Sequence, residues 1–261
     1  MIFEIIEEVT IIANGFQNNL KTRFIIDFSL LHKTEDNRIY SIKKEKINTI
    51  SVYDNNLSKI ISELEDYNYP IKIKTDYKGD FLEIYDHENW LVDWYNRTND
   101  ILIKYDNSQD VIDIRERYYE MLKDKELFTK SKFKEPYWNL FFFNPPLDNV
   151  NNLDIGTILN WNIKPVGLIS CKGRTTILDP RSRDAIITFD SNQKISEEII
   201  EFLKQKTKKT EIKWDEEKVK VTTESHFNTV ENKIKKKRAH FSFFINEVIS
   251  YKEEIIITLK N

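Results

Sequence analysis

A chain of 261 residues with 40% hydrophobic and 32% charged content is long enough to bury a core without metal or disulfide staples. Its net charge of −3 is unevenly held, since residues 1–150 carry 20 Lys and Arg against 27 Asp and Glu while residues 151–261 carry 20 against 16, giving −7 and +4. That balance lacks the concentrated basic face of a nucleic-acid binder, and the single Cys171 excludes an internal disulfide.

Residues 2–12 are rich in Ile, Val and Phe and run into Asn14-Gly15, a hairpin signal that predicts an antiparallel return over Thr22–Leu31. Arg38–Tyr53 predicts a third strand, and Leu57, Ile60, Ile61 and Leu64 have the spacing of an amphipathic helix. Ile71–Thr75 and Phe81–Ile84 flank the turn Asp76-Tyr77-Lys78-Gly79-Asp80 as a second hairpin.

From Asp86 to Pro145 the pattern changes to three predicted helices that hold most of the large aromatic residues. Asp86 is placed to cap the first, with Leu91, Trp94, Tyr95, Leu102 and Tyr105 on one stripe. Ser108 starts the second, and the third runs from Phe133 to Phe143 with Pro136 tolerated in its first turn. Trp94, Tyr118, Trp138 and Phe141 are expected to be largely buried.

Residues 147–162 are polar and Asn-rich and read as a linker or loop. Val166–Leu178, Ala185–Phe189, Glu211–Trp214, Val219–Thr223, Ala239–Ile249 and Glu253–Leu259 read as strands, with a short helix after Ser196. At an offset of 139, Ile60, Ile61, Leu64, Ile73, Lys74 and Asp76 fall on Ile199, Ile200, Leu203, Ile212, Lys213 and Asp215, a match that duplication or shared patterning would each produce. The expected fold is α+β: mostly antiparallel curved sheet or sheets in two strand-rich halves, 1–146 and 147–261, with the three-helix aromatic block between them.

None of His32, His87, His226 and His240 stands at metal-ligand spacing from another His or from Cys171, so no metal is expected. The Asp76–Asp80 turn is too short for a calcium loop and contains Lys78. There is no nucleophile elbow, phosphate loop or dinucleotide turn, so no catalytic residue and no cofactor is nominated. Arg174, Arg181 and Arg183 form a possible anion clamp, with Asp179 and Asp184 as the alternative partners. Lys233–Arg238 reads as a lysine-protected strand edge or turn rather than a nucleic-acid site.

No run approaches the roughly 18 apolar residues of a membrane span. Acids interrupt the apolar residues of Met1–Glu8, so a cytoplasmic protein with no membrane insertion is expected. Consecutive rings Phe141, Phe142 and Phe143 stand about 100° apart on a helix and cannot share one face. Trp138, Phe142, Phe143 and Leu147 are therefore the candidate contact residues for a partner or ligand, in a patch from Trp138 that continues in the loop to Asn152.

The succession Tyr69-Pro70-Ile71, Lys78-Gly79-Asp80-Phe81-Leu82-Glu83-Ile84, the Trp90–Tyr105 helix and Trp138-Asn139-Leu140-Phe141-Phe142-Phe143-Asn144-Pro145 resembles uncharacterised Bacteroidota proteins from secretion and contractile-injection gene neighbourhoods, over about residues 60–150. That resemblance implies a non-enzymatic module that holds another bacterial protein, as an adaptor, effector chaperone or immunity protein of a type VI-like system. The order of meander, helices and meander is also similar to LolA-like lipoprotein carriers, which implies the alternative: carriage of an apolar small molecule or lipid between curved sheet and aromatic helices.

Overall fold

A computed structural model describes residues 1–13, 16–50, 56–142, 155–163, 167–178, 184–194, 218–228, 233–245 and 249–260. The strands are β1 (Ile2–Ala13), β2 (Phe16–Lys33), β3 (Asn37–Ile50), β4 (Ile71–Asp76), β5 (Phe81–Ile84), β6 (Ile155–Ile163), β7 (Gly167–Leu178), β8 (Asp184–Lys194), β9 (Lys218–Asn228), β10 (Lys233–Ile245) and β11 (Ile249–Lys260). The helices are α1 (Asn56–Asp66), α2 (His87–Arg97), α3 (Asn99–Lys104), α4 (Gln109–Lys123), α5 (Lys125–Phe133) and α6 (Pro136–Phe142). All eleven strands belong to one antiparallel sheet in the order β5-β4-β3-β2-β1-β11-β10-β9-β8-β7-β6. Both ends of the chain thus supply central strands, and the segment that carries α2–α6 joins one edge strand to the other.

The helical block differs from the expectation: five helices, not three, lie between Asp86 and Phe143. Thr98 ends α2, and its hydroxyl donates back to the Tyr95 carbonyl at 3.0 Å, competing with the helical ladder. Asp124 ends α4 in an extended conformation, and its carboxylate accepts the Leu127 amide at 2.9 Å, which starts α5. Asp86 stands before α2 with φ 58° but makes no side-chain cap, because its carboxylate is taken by Lys72 and Asn89. Pro136 opens α6 at the first helical position, where its missing N–H costs nothing.

The chain divides into two compact units, the first made of Met1–Phe3, Phe24–Ile47 and Ser51–Phe133, the second of Glu4–Arg23, Asn48–Ile50 and Lys134–Asn261. In the first unit the sheet is buried on alternate residues, as in β4, where Ile71, Ile73 and Thr75 point inward. Trp94 is fully buried and stacks on Tyr118 at 5.6 Å, and Trp90 stacks on Phe128 at 4.6 Å. Buried rings of this size each contribute roughly 1.5–3 kcal/mol, more where they stack. Tyr118 is half-buried because its hydroxyl accepts from Asn68. The guanidinium of Arg115, also buried, donates to Thr98 Oγ1, the Tyr95 carbonyl and Asn99 Oδ1, so the break between α2 and α3 is held by a cation at a helix C-terminus.

In the second unit one observation fixes the form of the sheet. Five strand steps separate β11 from β6, which in a flat sheet would place them roughly 24 Å apart. Yet the indole N–H of Trp161 on β6 donates to Glu253 on β11 at 2.6 Å, and its ring lies 5.8 Å from Phe241 of β10, within 5° of parallel. Side chains from two facing sheets meet when the backbones are about 10 Å apart. The strands from β11 to β6 therefore curl until their inner face meets itself. Gly173 of β7 assists, since a Cβ there would lie 2.6 Å from the Phe189 ring that covers it.

Two further expectations are corrected here. Residues 147–162 are not all linker, because β6 occupies Ile155–Ile163 and pairs along its whole length with β7. Lys233–Arg238 is neither edge nor turn: β10 is an interior strand paired with β9 and β11, and the alternation that turns Ala239 and Phe241 inward carries Lys237 in with them. Trp138 is buried and Phe141 half-buried. The second copy of the apparent repeat, at 199–215, lies outside the described residues.

Candidate interaction site

The edge strand β6 has the sequence Ile-Gly-Thr-Ile-Leu-Asn-Trp-Asn-Ile, nine residues with no charge and no proline. Its inner edge is fully engaged, in unbroken register from Ile155 opposite Thr175 to Ile163 opposite Gly167. Its outer edge faces no strand among the described residues. Leu159 and Trp161 point into the core while Ile158 and Asn160 point to solvent, with Ile158 57% exposed. The Asn162 amide donates to the Lys134 carbonyl at 3.0 Å, which ties down the C-terminal end of the strand. Among the described residues, the outward backbone donors and acceptors of this uncharged strand meet no other strand.

The inner face holds this edge rigidly. Glu253 is 1% exposed and accepts from both Trp161 Nε1, at 2.6 Å, and the Tyr251 hydroxyl, at 3.1 Å. Burial first, and the neighbouring carboxylate of Glu7 second, push the Glu253 carboxyl up to about 8, so at neutral pH it is mainly protonated and donates to Glu7. Burial also raises the Tyr251 phenol, which keeps it a donor. A neutral acid between β1 and β11 thus grips the indole of β6, and the stacked Trp161 and Phe241 rings exclude water around it.

Helix α6 contacts the same strands. Lys237 Nζ, 2% exposed, donates to the carbonyls of Leu140 and Phe141 at 2.9 Å each, neutralising the C-terminus of α6 from the sheet. Trp138 is inside, its indole donating to the Tyr137 hydroxyl at 3.0 Å, and Phe142 is half-buried against it with ring centroids 5.3 Å apart. Phe143 and Leu147 lie outside the described residues. Of the arginines considered for anion binding, Arg174 is exposed on β7 opposite Asp190, and Arg181 and Arg183 lie outside the described residues.

Elsewhere most of the buried polar side chains have structural partners, though among the described residues the Trp94 indole N–H and the Asn68 side-chain carbonyl oxygen are buried without one. His87 bonds the Leu122 carbonyl, and burial lowers its pKa and that of His240. Cys171 is buried, its thiol pushed up to about 12, which makes it a poor nucleophile. Asp76 and Asp80 close the β4–β5 hairpin with Gly79 at φ 95°. A groove of about 410 Å³ in the first unit lies along α1 and α4, lined by Leu57, Ile60, Asp110, Asp113, Ile114 and Arg117. Among the described residues no three His, Cys, Asp or Glu side chains are gathered as metal ligands, and no helix is long and apolar enough to cross a membrane.

No family model matches the chain, and no curated protein matches it. Among solved structures, one described as lipid–protein interactions in lipovitellin aligns with all of this chain at 9% identity and a TM-score of 0.42. The chain spans 25% of that protein's length. A likeness of that size assigns neither fold nor function.

Proposed function

We propose that this protein is a non-enzymatic protein-binding module that receives an extended segment along β6. The observation that carries the reading is the uncharged nine-residue edge, since natural sheets blunt exposed edges with charge, proline, bulges or shortness and β6 has none of these. Strand addition draws affinity from backbone hydrogen bonds and selectivity from alternate side chains, here Ile158 and Asn160 on the outer face. Preorganisation by Trp161 and Glu253 lowers the ordering entropy lost on binding. The resemblance over residues 60–150 supports a partner that is another bacterial protein.

The test is a photo-crosslinking residue in place of Ile158. A crosslinked partner whose contact maps to an extended segment, lost when Asn160→Lys is added, supports the reading. Crosslinks that survive Asn160→Lys, or that map to a helical surface of the partner, would sink it. The second reading, carriage of an apolar small molecule, draws on the curled inner face of the second unit, where Trp161, Phe241, Ile255 and Ile257 are buried beside a neutral acid. Native mass spectrometry of the purified protein tests it: an adduct of lipid mass supports carriage, and its absence from protein purified without detergent counts against it.

A further inference from the structure

We infer that the contact between Glu7 and Glu253 is a proton-held latch on the curl of the second unit. While the two carboxyl groups share a proton the inner face stays shut on Trp161, and loss of that proton parts β6 from β10 and β11 while the strand ladder stays intact. Three observations carry it.

The first is that only a proton can hold this contact. Glu253 is buried, and its polar contacts are the Trp161 indole, the Tyr251 hydroxyl and the Glu7 carboxyl. Among the described residues no Lys, Arg or His pairs with it. Two carboxyl groups hydrogen-bond to each other only with a proton between them, and without it they are like charges out of reach of water. Glu7 is half-buried on β1, so the shared proton has a way out through it.

The second is that the groups around the pair do not neutralise it. Lys237, the buried cation of β10, is held by the Leu140 and Phe141 carbonyls of α6. Lys21 and Arg23 of β2 are paired with Glu8 and Glu4, and Lys260 of β11 with Glu4. Burial keeps Tyr251 protonated and pushes Cys171 of β7 up to about 12. The Tyr137 hydroxyl of α6 is engaged by the Trp138 indole, and the buried residues of β8 and β9 carry no charge.

The third is where the fold can yield. β11 is hydrogen-bonded between β1 and β10, so Glu7 and Glu253 stand on neighbouring strands that cannot part without breaking a ladder. β6 is backbone-paired with β7 and meets β11 and β10 through the Trp161 indole on Glu253 and its ring on Phe241. Water reaches an ionised pair most directly by parting that stack, with every ladder intact. Because the closed form binds the proton, the latch is shut at acidic pH and opens as pH rises. One proton leaves, so the open population grows at most about tenfold per pH unit.

Fluorine NMR of the full chain labelled with fluorotryptophan, from about pH 6 to about pH 9, provides the test, with the Trp161 signal assigned by Trp161→Phe. In the wild type that signal should acquire the solvent isotope shift of an exposed indole as pH rises. The signals of Trp90 and Trp94 in the first unit should keep theirs, and far-ultraviolet circular dichroism should not change. Glu253→Gln has no proton to lose and should stay closed throughout. Glu7→Gln removes the repulsion but keeps the Glu253 carboxyl, so opening at about pH 9 should fall several-fold. A wild-type Trp161 that stays buried over the whole range overturns the inference, as does exposure that arrives only with loss of strand signal. A transition unchanged in Glu253→Gln or in Glu7→Gln places the titrating group elsewhere and overturns it too. Should Glu253→Gln fail to fold, Glu7→Gln at its half-buried position decides alone.

Discussion

The two edges of this sheet solve the same physical problem in opposite ways. At β5 the strand is short and bulged, Glu83 is clamped by Lys125 at 2.6 Å with Lys74 at 3.8 Å, and α5 packs alongside. At β6 the strand is long, regular and uncharged, and Trp161 holds it from the inner face. The carboxylates that serve the two edges differ in the same way. Glu83 is half-exposed and its lysine partners hold it below the usual carboxylate range, whereas burial and Glu7 hold Glu253 well above it. An edge guarded by ionised groups is closed to another strand; on the strand-addition proposal, the uncharged edge of β6 is the one that receives it.

The largest expected effect comes from removing what backs the open edge. Trp161→Ala should destabilise by about 3–5 kcal/mol, because it deletes a fully buried stacked ring and strands the Glu253 acceptor. Phe81→Ala, at the defended edge, removes a half-buried ring and should cost roughly half as much. Urea titration of both variants checks the ratio; equal losses would show that β6 is not held from within.

Next in size is a pH effect on the same grip. An unfolded glutamate titrates near 4.3, and in the fold Glu253 is raised to about 8. Because the folded value is the higher one, the stability it contributes is complete below the unfolded pKa. It is lost as pH rises towards 8, at up to ~1.4 kcal/mol per pH unit. Burial lowers His87 and His240, whose effects fall at the acid end, so the slope is read between about pH 7 and 8. Glu253→Gln keeps an acceptor for the Trp161 indole and has no proton to lose, and its unfolding free energy should be flat over that interval. A slope unchanged by the substitution would place the titrating group elsewhere.

Much of this was legible in the sequence, and the exceptions have physical causes. Alternation and the Asp76–Asp80 turn indicate the β4–β5 hairpin because its inward residues, Ile71, Ile73, Thr75 and Ile84, are apolar or β-branched. The same alternation was present in β6, with Leu159 and Trp161 against Asn160 and Asn162, but asparagines weigh towards loop when the strand they belong to cannot be seen as an edge. Glu7 and Glu253 each sit at an inward position, between Ile5 and Val9 and between Tyr251 and Ile255. A carboxylate in an inward register is the signal for a buried acid. What no local pattern shows is that Trp161 and Glu253, 92 residues apart, meet through the curl of the sheet. The break at Thr98 was hidden because an apolar stripe continues across it and only a side-chain bond to the backbone interrupts the helix, while α5, which lies between the second and third expected helices, starts on the carboxylate of Asp124.

A third variant separates the helix from the strand. Lys237→Met keeps a side chain of similar length in the core but leaves the Leu140 and Phe141 carbonyls without their donor, a loss of about 1–3 kcal/mol. Hydrogen exchange should quicken in α6 first and leave the pairing of β6 with β7 protected. If β6 opens together with α6, the helix is part of what holds the edge.

The smallest effect is expected at the defended edge, and it is the one that separates stability from protection. Glu83→Gln removes the ion pairs with Lys125 and Lys74, but these groups are more than two-fifths exposed apart from Lys74, so solvent screening limits the loss to well under ~1 kcal/mol. Since lysine partners depress its pKa, the stability Glu83 contributes is present at neutral pH and lost on acidification, opposite in sign to Glu253. Association is the second readout. With the carboxylate gone, β5 still carries the neighbouring lysines, the bulge and the packing of α5, so one neutralisation should leave the edge closed. Light scattering at neutral pH should therefore show no assembly larger than that of the wild type. Growth of higher oligomers in Glu83→Gln would mean that this single charge, and not the short bulged strand under its helix, is what closes the edge.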